Sequence, residues 1–284
     1  RTMWRAKRSI SIELLIPAQV AEKTPPIKCN PVGLNGKQTQ FAAMSENTLT
    51  TRAEPKLSEV QLNLLGWLRR DKPNIFLTGR AGTGKTTLMR ELLRQAGNKA
   101  AVLAPTGVAA MQAGGQTIHS FFHLPPRVIT GRDIRKVRHS RVVKALETLV
   151  IDEISMVRSD MMWAIDQSLR LNRECNEPFG GVQMVVVGDL AQLPPVVQGA
   201  EAEYLENTHG GPFFFNPPAF REAGFSLVEL EEVFRQTDED FIHLLNVVRE
   251  GDVRADEAER LNERVTGRSG LEASLSHVVL TATN

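Results

Sequence analysis

Residues 79–86 read Gly-Arg-Ala-Gly-Thr-Gly-Lys-Thr, and no other stretch limits the fold of this chain as sharply. Glycine loses the most conformational freedom on folding, so three glycines in six positions mark a place where the backbone must turn sharply or approach something closely. The pattern G-x-x-x-x-G-K-[ST] cradles an anion when a strand delivers the chain to it and a helix carries the chain away. Both flanks are present: the apolar run Asn74 to Thr78 precedes the loop, and Thr86 to Gln95 follows it with helical periodicity. The alternative, a plain glycine-rich turn, leaves that strand and helix unexplained. Backbone N–H groups from Gly79, Ala81, Gly82, Thr83, Gly84 and Thr87 are candidates to wrap the phosphates at a helix N-terminus, where the dipole favours negative charge. Lys85 would neutralise the β- and γ-phosphates, and the Thr86 hydroxyl would take a Mg²⁺ position.

A strand and a helix around such a loop predict an α/β fold, and the rest of the chain repeats the alternation. The candidate strands are Asn74 to Thr78, Lys99 to Ala104, Thr148 to Ile151, Gln183 to Val187, Ser226 to Leu230 and His277 to Thr281. All but the last are expected in one doubly wound parallel sheet. Helices are predicted at Ser58 to Arg70, Thr86 to Gln95, Gly107 to Ala113 and Ser159 to Leu171. After Leu230 the texture becomes acidic and helical, at Phe241 to Arg249 and Asp256 to Arg264. The final strand then begins close to Asn284, as though a second α/β domain starts there. The expected divisions are residues 1–50, 51–235 with a small basic insertion near 121–146, and 236–284.

Two further segments supply hydrolytic chemistry. Val150-Ile151-Asp152-Glu153 is an apolar run ending in two carboxylates. Asp152 suits a Mg²⁺ position, and Glu153 suits the orientation and deprotonation of an attacking water. An Asp-Glu pair alone is commonly a solvated loop; the upstream phosphate loop shifts the balance. Gly188-Asp189-Leu190-Ala191-Gln192-Leu193-Pro194-Pro195 follows another apolar run, and its two prolines fix the backbone beyond Gln192. That would present Gln192 as a sensor of the γ-phosphate at the carboxyl ends of the strands, although a proline-terminated turn has the same look.

Composition sets bounds on partners. At 42% hydrophobic residues the 284-residue chain can build a real core. The net charge of +1 means that any nucleic-acid surface is local. Cys29 and Cys175 stand far apart, against a disulfide framework or a zinc site and in keeping with a reducing, cytoplasmic setting. No apolar run approaches the roughly 20 residues of a membrane span. Residues 1–43 scatter Pro17, Pro25, Pro26 and Pro31 without periodicity; Met44 resembles an ordinary start, and disorder is expected before about Thr50. The basic opening, Arg1 to Arg8, could alternatively be a targeting segment.

Taken together the motifs resemble superfamily 1 helicases of the RecD-like branch, and within it the Pif-type 5′-to-3′ DNA helicases. The segments that carry the resemblance are GRAGTGKTT at Gly79 to Thr87, APTGVAA at Ala104 to Ala110, GGQTIHSFF at Gly114 to Phe122, VIDEISM at Val150 to Met156, FGGVQMVVVGDLAQLPPV at Phe179 to Val196, and VFRQ at Val233 to Gln236. The resemblance implies a RecA-like P-loop NTPase domain, followed by the truncated start of a second RecA-like domain. It implies ATP and Mg²⁺ as cofactors, and single-stranded, forked or tailed duplex DNA as partner for a monomer.

Carried over by position, Gln61 would contact adenine and Arg235 would stabilise charge on the γ-phosphate in the transition state. Thr106, Gly107, Thr117 and His119 would touch the DNA backbone, as hydroxyls and helix-start N–H groups can do without reading sequence. Each also has a plainer reading: a solvated Gln, a surface ion pair for Arg235, a structural histidine. Phe121 and Phe122 could offer a stacking face, or pack in the core. The run Arg127, Arg132, Arg135, Lys136, Arg138, Arg141 and Lys144 against Asp133 reads equally as a solvated face or an extension of the DNA surface.

Motifs of a second RecA-like domain would follow Val278 to Thr281. Without them these 284 residues are expected to bind ATP weakly and to unwind nothing. Other members of the class to weigh are an exonuclease subunit, a relaxase-linked helicase, and a nucleotide-gated DNA-binding module without turnover; an intact Glu153 argues against the last.

Overall fold

The strands lie in the order β3-β2-β4-β5-β1-β6, every neighbouring pair parallel. They are β1 (Ile75–Gly79), β2 (Ala100–Ala104), β3 (Gln116–Thr117), β4 (Thr148–Ile151), β5 (Gln183–Val187) and β6 (Ser226–Leu230). The computed structural model describes residues 57–137, 140–232, 234, 238–251 and 253–263, in two units that part after Glu232.

Strands β4 and β5 are buried along their whole length, which is why Thr-Leu-Val-Ile and Gln-Met-Val-Val-Val read as continuous apolar runs: parallel strands have both faces covered. Successive side chains go to opposite faces. Leu149, Ile151, Met184 and Val186 join one core with Met162, Ile165 and Leu169 of α6 (Ser159–Arg173). Val150, Val185 and Val187 join another with Leu65 and Leu68 of α1 (Glu59–Arg70) and Leu88 and Leu92 of α2 (Lys85–Ala96).

Buried polar groups stitch the layers together. The Gln183 amide donates to Leu68 O and Pro73 O at 2.9 and 3.2 Å and accepts from Thr148 Oγ1 at 2.8 Å, tying α1 to the sheet. On α6, Asp160 accepts from Ile129 N at 2.8 Å and Asn172 Oδ1 from Val137 N at 2.9 Å. Two buried residues of one helix therefore dock the basic insertion.

The predicted strands 74–78, 99–104, 148–151, 183–187 and 226–230 match β1, β2, β4, β5 and β6 within a residue. The predicted helices at 58–70, 86–95 and 159–171 match α1, α2 and α6 within two residues, and the one at Gly107–Ala113 is α3. Pattern reading missed the two-residue β3, and also α4 (Ile118–Phe122), α5 (Ser140–Ala145), α7 (Ala200–His209) and α8 (Pro218–Glu222). These are too short, or in α7 too polar, to display periodicity. In the second unit α9 (Glu239–Glu250) and α10 (Ala255–Asn262) are joined by His243 Nε2 and Glu257 Oε1 at 3.0 Å. The strand expected at 277–281, the segment 1–50 and Arg235 lie outside the described residues.

Candidate active site

The strand order sets β4, β5 and β1 side by side, so the segments leaving their carboxyl ends share one edge. These are Asp152-Glu153, Gly188 to Gln192 and the loop 79–84, from three distant parts of the chain.

The loop leaves β1 through Gly79 at φ 144°, where a Cβ would stand 2.4 Å from Leu230 O of β6. Glycine is required there by backbone conformation and by the neighbouring strand alike. Gly82 and Gly84 take φ 84° and 83°, turning the chain into α2. Thr83 is buried, and its Oγ1 donates to Arg80 O at 2.9 Å. Lys85 Nζ donates to Gly79 O at 2.6 Å and Arg80 O at 3.0 Å, which holds the ammonium over the loop. Thr86 is exposed and Thr87 half-buried in the first turn of α2; Ala81 is exposed at the tip.

Gln61 behaves differently from a solvated helix residue. It is 3% exposed, its Nε2 donates to Thr83 O at 3.2 Å, and its Oε1 accepts from Ser58 N at 3.0 Å. Together with Gln61 N donating to Ser58 Oγ, this is a capping box. One side chain thus closes the end of α1 and braces the phosphate loop.

At the end of β4, Asp152 N donates to Leu103 O at 2.9 Å and Asp152 Oδ1 accepts from Glu153 N at 3.0 Å. Burial pushes the Asp152 carboxyl above its ordinary range, against the hydrogen bond from Glu153 N and the attraction of Lys85. Glu153 is raised as well, first by burial and then by the negative charge of Asp152, with Asp189 adding to it and Lys85 opposing. Its backbone sits at φ 52°, a left-handed conformation that a non-glycine residue seldom adopts, and strain of this kind collects at functional sites.

Past β5, Gly188 lets the chain run against the Glu153 turn: a Cβ there would lie 2.8 Å from Ile154 Cγ2. Asp189 is buried; its Oδ1 accepts from Ala191 N and its carbonyl from Gln192 N, both at 3.0 Å, a turn built by an aspartate side chain. Gln192 projects from that turn and lines an open cleft of about 520 Å³ with Glu153, Ser155, Met156, Ala191, Leu193 and Pro194. The structure therefore brings Glu153 and Gln192 together, with Lys85 within electrostatic reach. Ser155 and Asp189 went unremarked in the sequence. Each is a small polar residue inside a quoted motif, and only burial sets it apart.

The proposed DNA contacts lie on the segments after β2 and β3. Thr106 Oγ1 accepts from Ala109 N at 3.2 Å and caps α3; Thr117 Oγ1 accepts from Ser120 N at 3.1 Å and caps α4. Gly107 is exposed at the start of α3. His119 is half-buried, with its pKa pushed down by burial and then by Arg158, while Asp160 opposes. Phe121 and Phe122 are 5% and 3% exposed and meet edge to face at 4.9 Å in the core. The stacking face considered for them is thereby excluded, because both rings fill the space under β2. In the basic run, Arg127 forks onto Asp133, and Lys136 and Lys144 reach Glu174. Arg132, Arg135 and Arg141 are exposed and have no ion-pair partner among the described residues.

Known proteins share this arrangement. Residues 67–259 match the model of the PIF1-like helicase family. The ATP-dependent DNA helicase PIF1 of Rattus norvegicus is 35% identical over 232 residues, 80% of this chain and 33% of the rat protein. That of Bdellovibrio bacteriovorus is 36% identical over 219 residues, 75% of this chain and 47% of its own. A crystal structure of Pif1 helicase from Bacteroides in complex with ADP-AlF3 and single-stranded DNA is 43% identical, with a TM-score of 0.69. It covers 74% of this chain and 50% of the Bacteroides chain. The present chain thus spans about a third to a half of the length of these relatives. Its parallel sheet is the RecA-like fold of P-loop helicases, and the chain belongs to the PIF1-like helicase family.

Proposed function

We propose that these residues form the phosphate-binding half of an ATP-driven 5′-to-3′ DNA helicase. The observation that carries this reading is the meeting of Lys85, Asp152, Glu153 and Gln192 at the ends of three adjacent strands. The Pif1 protein of Bacteroides that shares the fold was captured with a nucleotide mimic and single-stranded DNA.

In this scheme the loop 79–84 directs its N–H groups at the phosphates, and Lys85 exchanges its loop carbonyls for β- and γ-oxygens. Glu153 takes the proton of a water as that water attacks the γ-phosphorus. The bond to the bridging oxygen breaks, and the electron pair departs with ADP. Gln192, which lines the cleft with Glu153, would report on the γ-phosphate, and Arg235, outside the described residues, would add positive charge as the bond breaks. The Thr86 hydroxyl and the Asp152 carboxylate are hard oxygen donors suited to Mg²⁺, which supplies charge neutralisation on the phosphates when bound. Gln61, braced against the loop, would contact adenine. Thr106, Gly107, Thr117 and His119 would bear on the DNA backbone, and a forked or tailed duplex would be the substrate.

Unwinding of a 5′-tailed duplex, measured for this chain and for a polypeptide extended beyond Asn284, tests the proposal. The extended form should unwind and lose activity on K85A, whereas the 284 residues alone should not unwind. Unwinding that survives K85A would contradict it.

A further inference from the structure

Ser155 stands two residues beyond Glu153, in the turn Ile154–Met156, and is 3% exposed. Its Oγ is enclosed and makes no hydrogen bond, whereas folded proteins pair nearly all such groups. The surroundings give no packing reason for a hydroxyl: Ile154 before it and Val157 two residues on are fully buried and apolar. Backbone hydrogen bonds and a close neighbour hold the turn. Val157 N donates to Ile154 O at 3.0 Å and Met156 N to Glu153 O at 3.2 Å, while Gly188 crowds it closely enough that a Cβ would come within 3.3 Å of Ser155 N. Ser155 also lines the cleft that holds Glu153 and Gln192. An ionised Glu153 only accepts hydrogen bonds, and a serine hydroxyl is a rotatable donor.

We infer that Ser155 is a positioning residue for hydrolysis, its hydroxyl donating to the Glu153 carboxylate and fixing that carboxylate toward the attacking water. This rests on the reading of Glu153 as the base. The hydroxyl is held unpaired by a rigid turn, so its hydrogen bond is made where the reaction needs it and contributes little to the stability of the fold. A structural serine would do the reverse.

The two roles separate in S155A. In the polypeptide extended beyond Asn284, steady-state ATP hydrolysis with single-stranded DNA should show kcat reduced about tenfold, the loss of one hydrogen bond to a charged group. KM and ADP affinity should stay unchanged, and the thermal midpoint should not fall. S155C, of similar shape with a weaker donor, should lie between. A kcat within twofold of wild type overturns the inference. So does a fall in kcat accompanied by a lower thermal midpoint, since Ser155 then supports the fold. Absence of turnover in the wild-type protein would defeat the reading of the site itself, and appears before any variant is compared.

Discussion

Glu153 occupies a costly position on two counts: its backbone is left-handed, and its half-buried carboxylate lies within reach of two other acids. Because its folded pKa is raised, ionisation at neutral pH opposes folding; that penalty holds above the folded pKa and is relieved as pH falls through it. E153Q should therefore melt higher than wild type at pH 7, at about 2–4 °C per kcal/mol relieved in a domain of this size, with the gap closing toward pH 4.5. Calorimetry at the two pH values checks this; a lower midpoint at pH 7 contradicts it. Gln61 invites the opposite experiment. Q61A leaves Thr83 O and Ser58 N without partners and should lower stability by about 2 kcal/mol in denaturant titrations, together with weaker ADP binding. Unchanged stability would return Gln61 to a role confined to the ligand. The places of Lys85 and Asp152 at neighbouring strand ends were legible in the sequence because spacing and a flanking strand define them. The brace from Gln61 was not, since it joins residues 22 apart that only the packing of α1 on α2 brings together.

Among the elements, strands were more legible than their neighbours because burial on both faces writes itself as an apolar run. Nothing comparable marks β3, a pair of residues beside β2 whose approach depends on Gly115, where a Cβ would lie 2.1 Å from Val102 O. The glycine and β2 were both visible, but their close approach was not. Equally, the Thr-Ile-His-Ser-Phe-Phe segment read as a surface for DNA, yet Phe121 and Phe122 are core and Thr117 is a cap. One segment serves packing on one side and leaves only its other side for a ligand. The β1–β6 pairing offers a direct test of how strictly the loop is built. G79A forces a Cβ onto Leu230 O and should cost about 2–4 kcal/mol. G114A, at a left-handed helical position with nothing within 4 Å, should cost only about 1 kcal/mol. Equal losses in denaturant titrations would show that the contact across the sheet is unimportant.

At the scale of the whole molecule, the proposed nucleotide site and the proposed DNA contacts sit on one sheet. The nucleotide groups leave β1, β4 and β5, while Thr106 and Thr117 leave β2 and β3, so β2 pairs directly with the strand that carries Asp152. The backbone records that link: Asp152 N donates to Leu103 O, three residues before Thr106. Order within this unit was largely readable from the sequence. The α9 and α10 segment was readable as helices from its spacing, and the strand expected at 277–281 lies outside the described residues. The central claim, that the loop 79–86 and Glu153 form a hydrolytic site answering to DNA, is tested most directly by phosphate release with and without single-stranded DNA, for the wild-type polypeptide extended beyond Asn284 and its E153Q variant. Wild type should release phosphate faster when DNA is added, and E153Q should bind nucleotide as tightly yet release almost none at either condition. Release by E153Q at the wild-type rate, or a wild-type rate indifferent to DNA, would contradict the account.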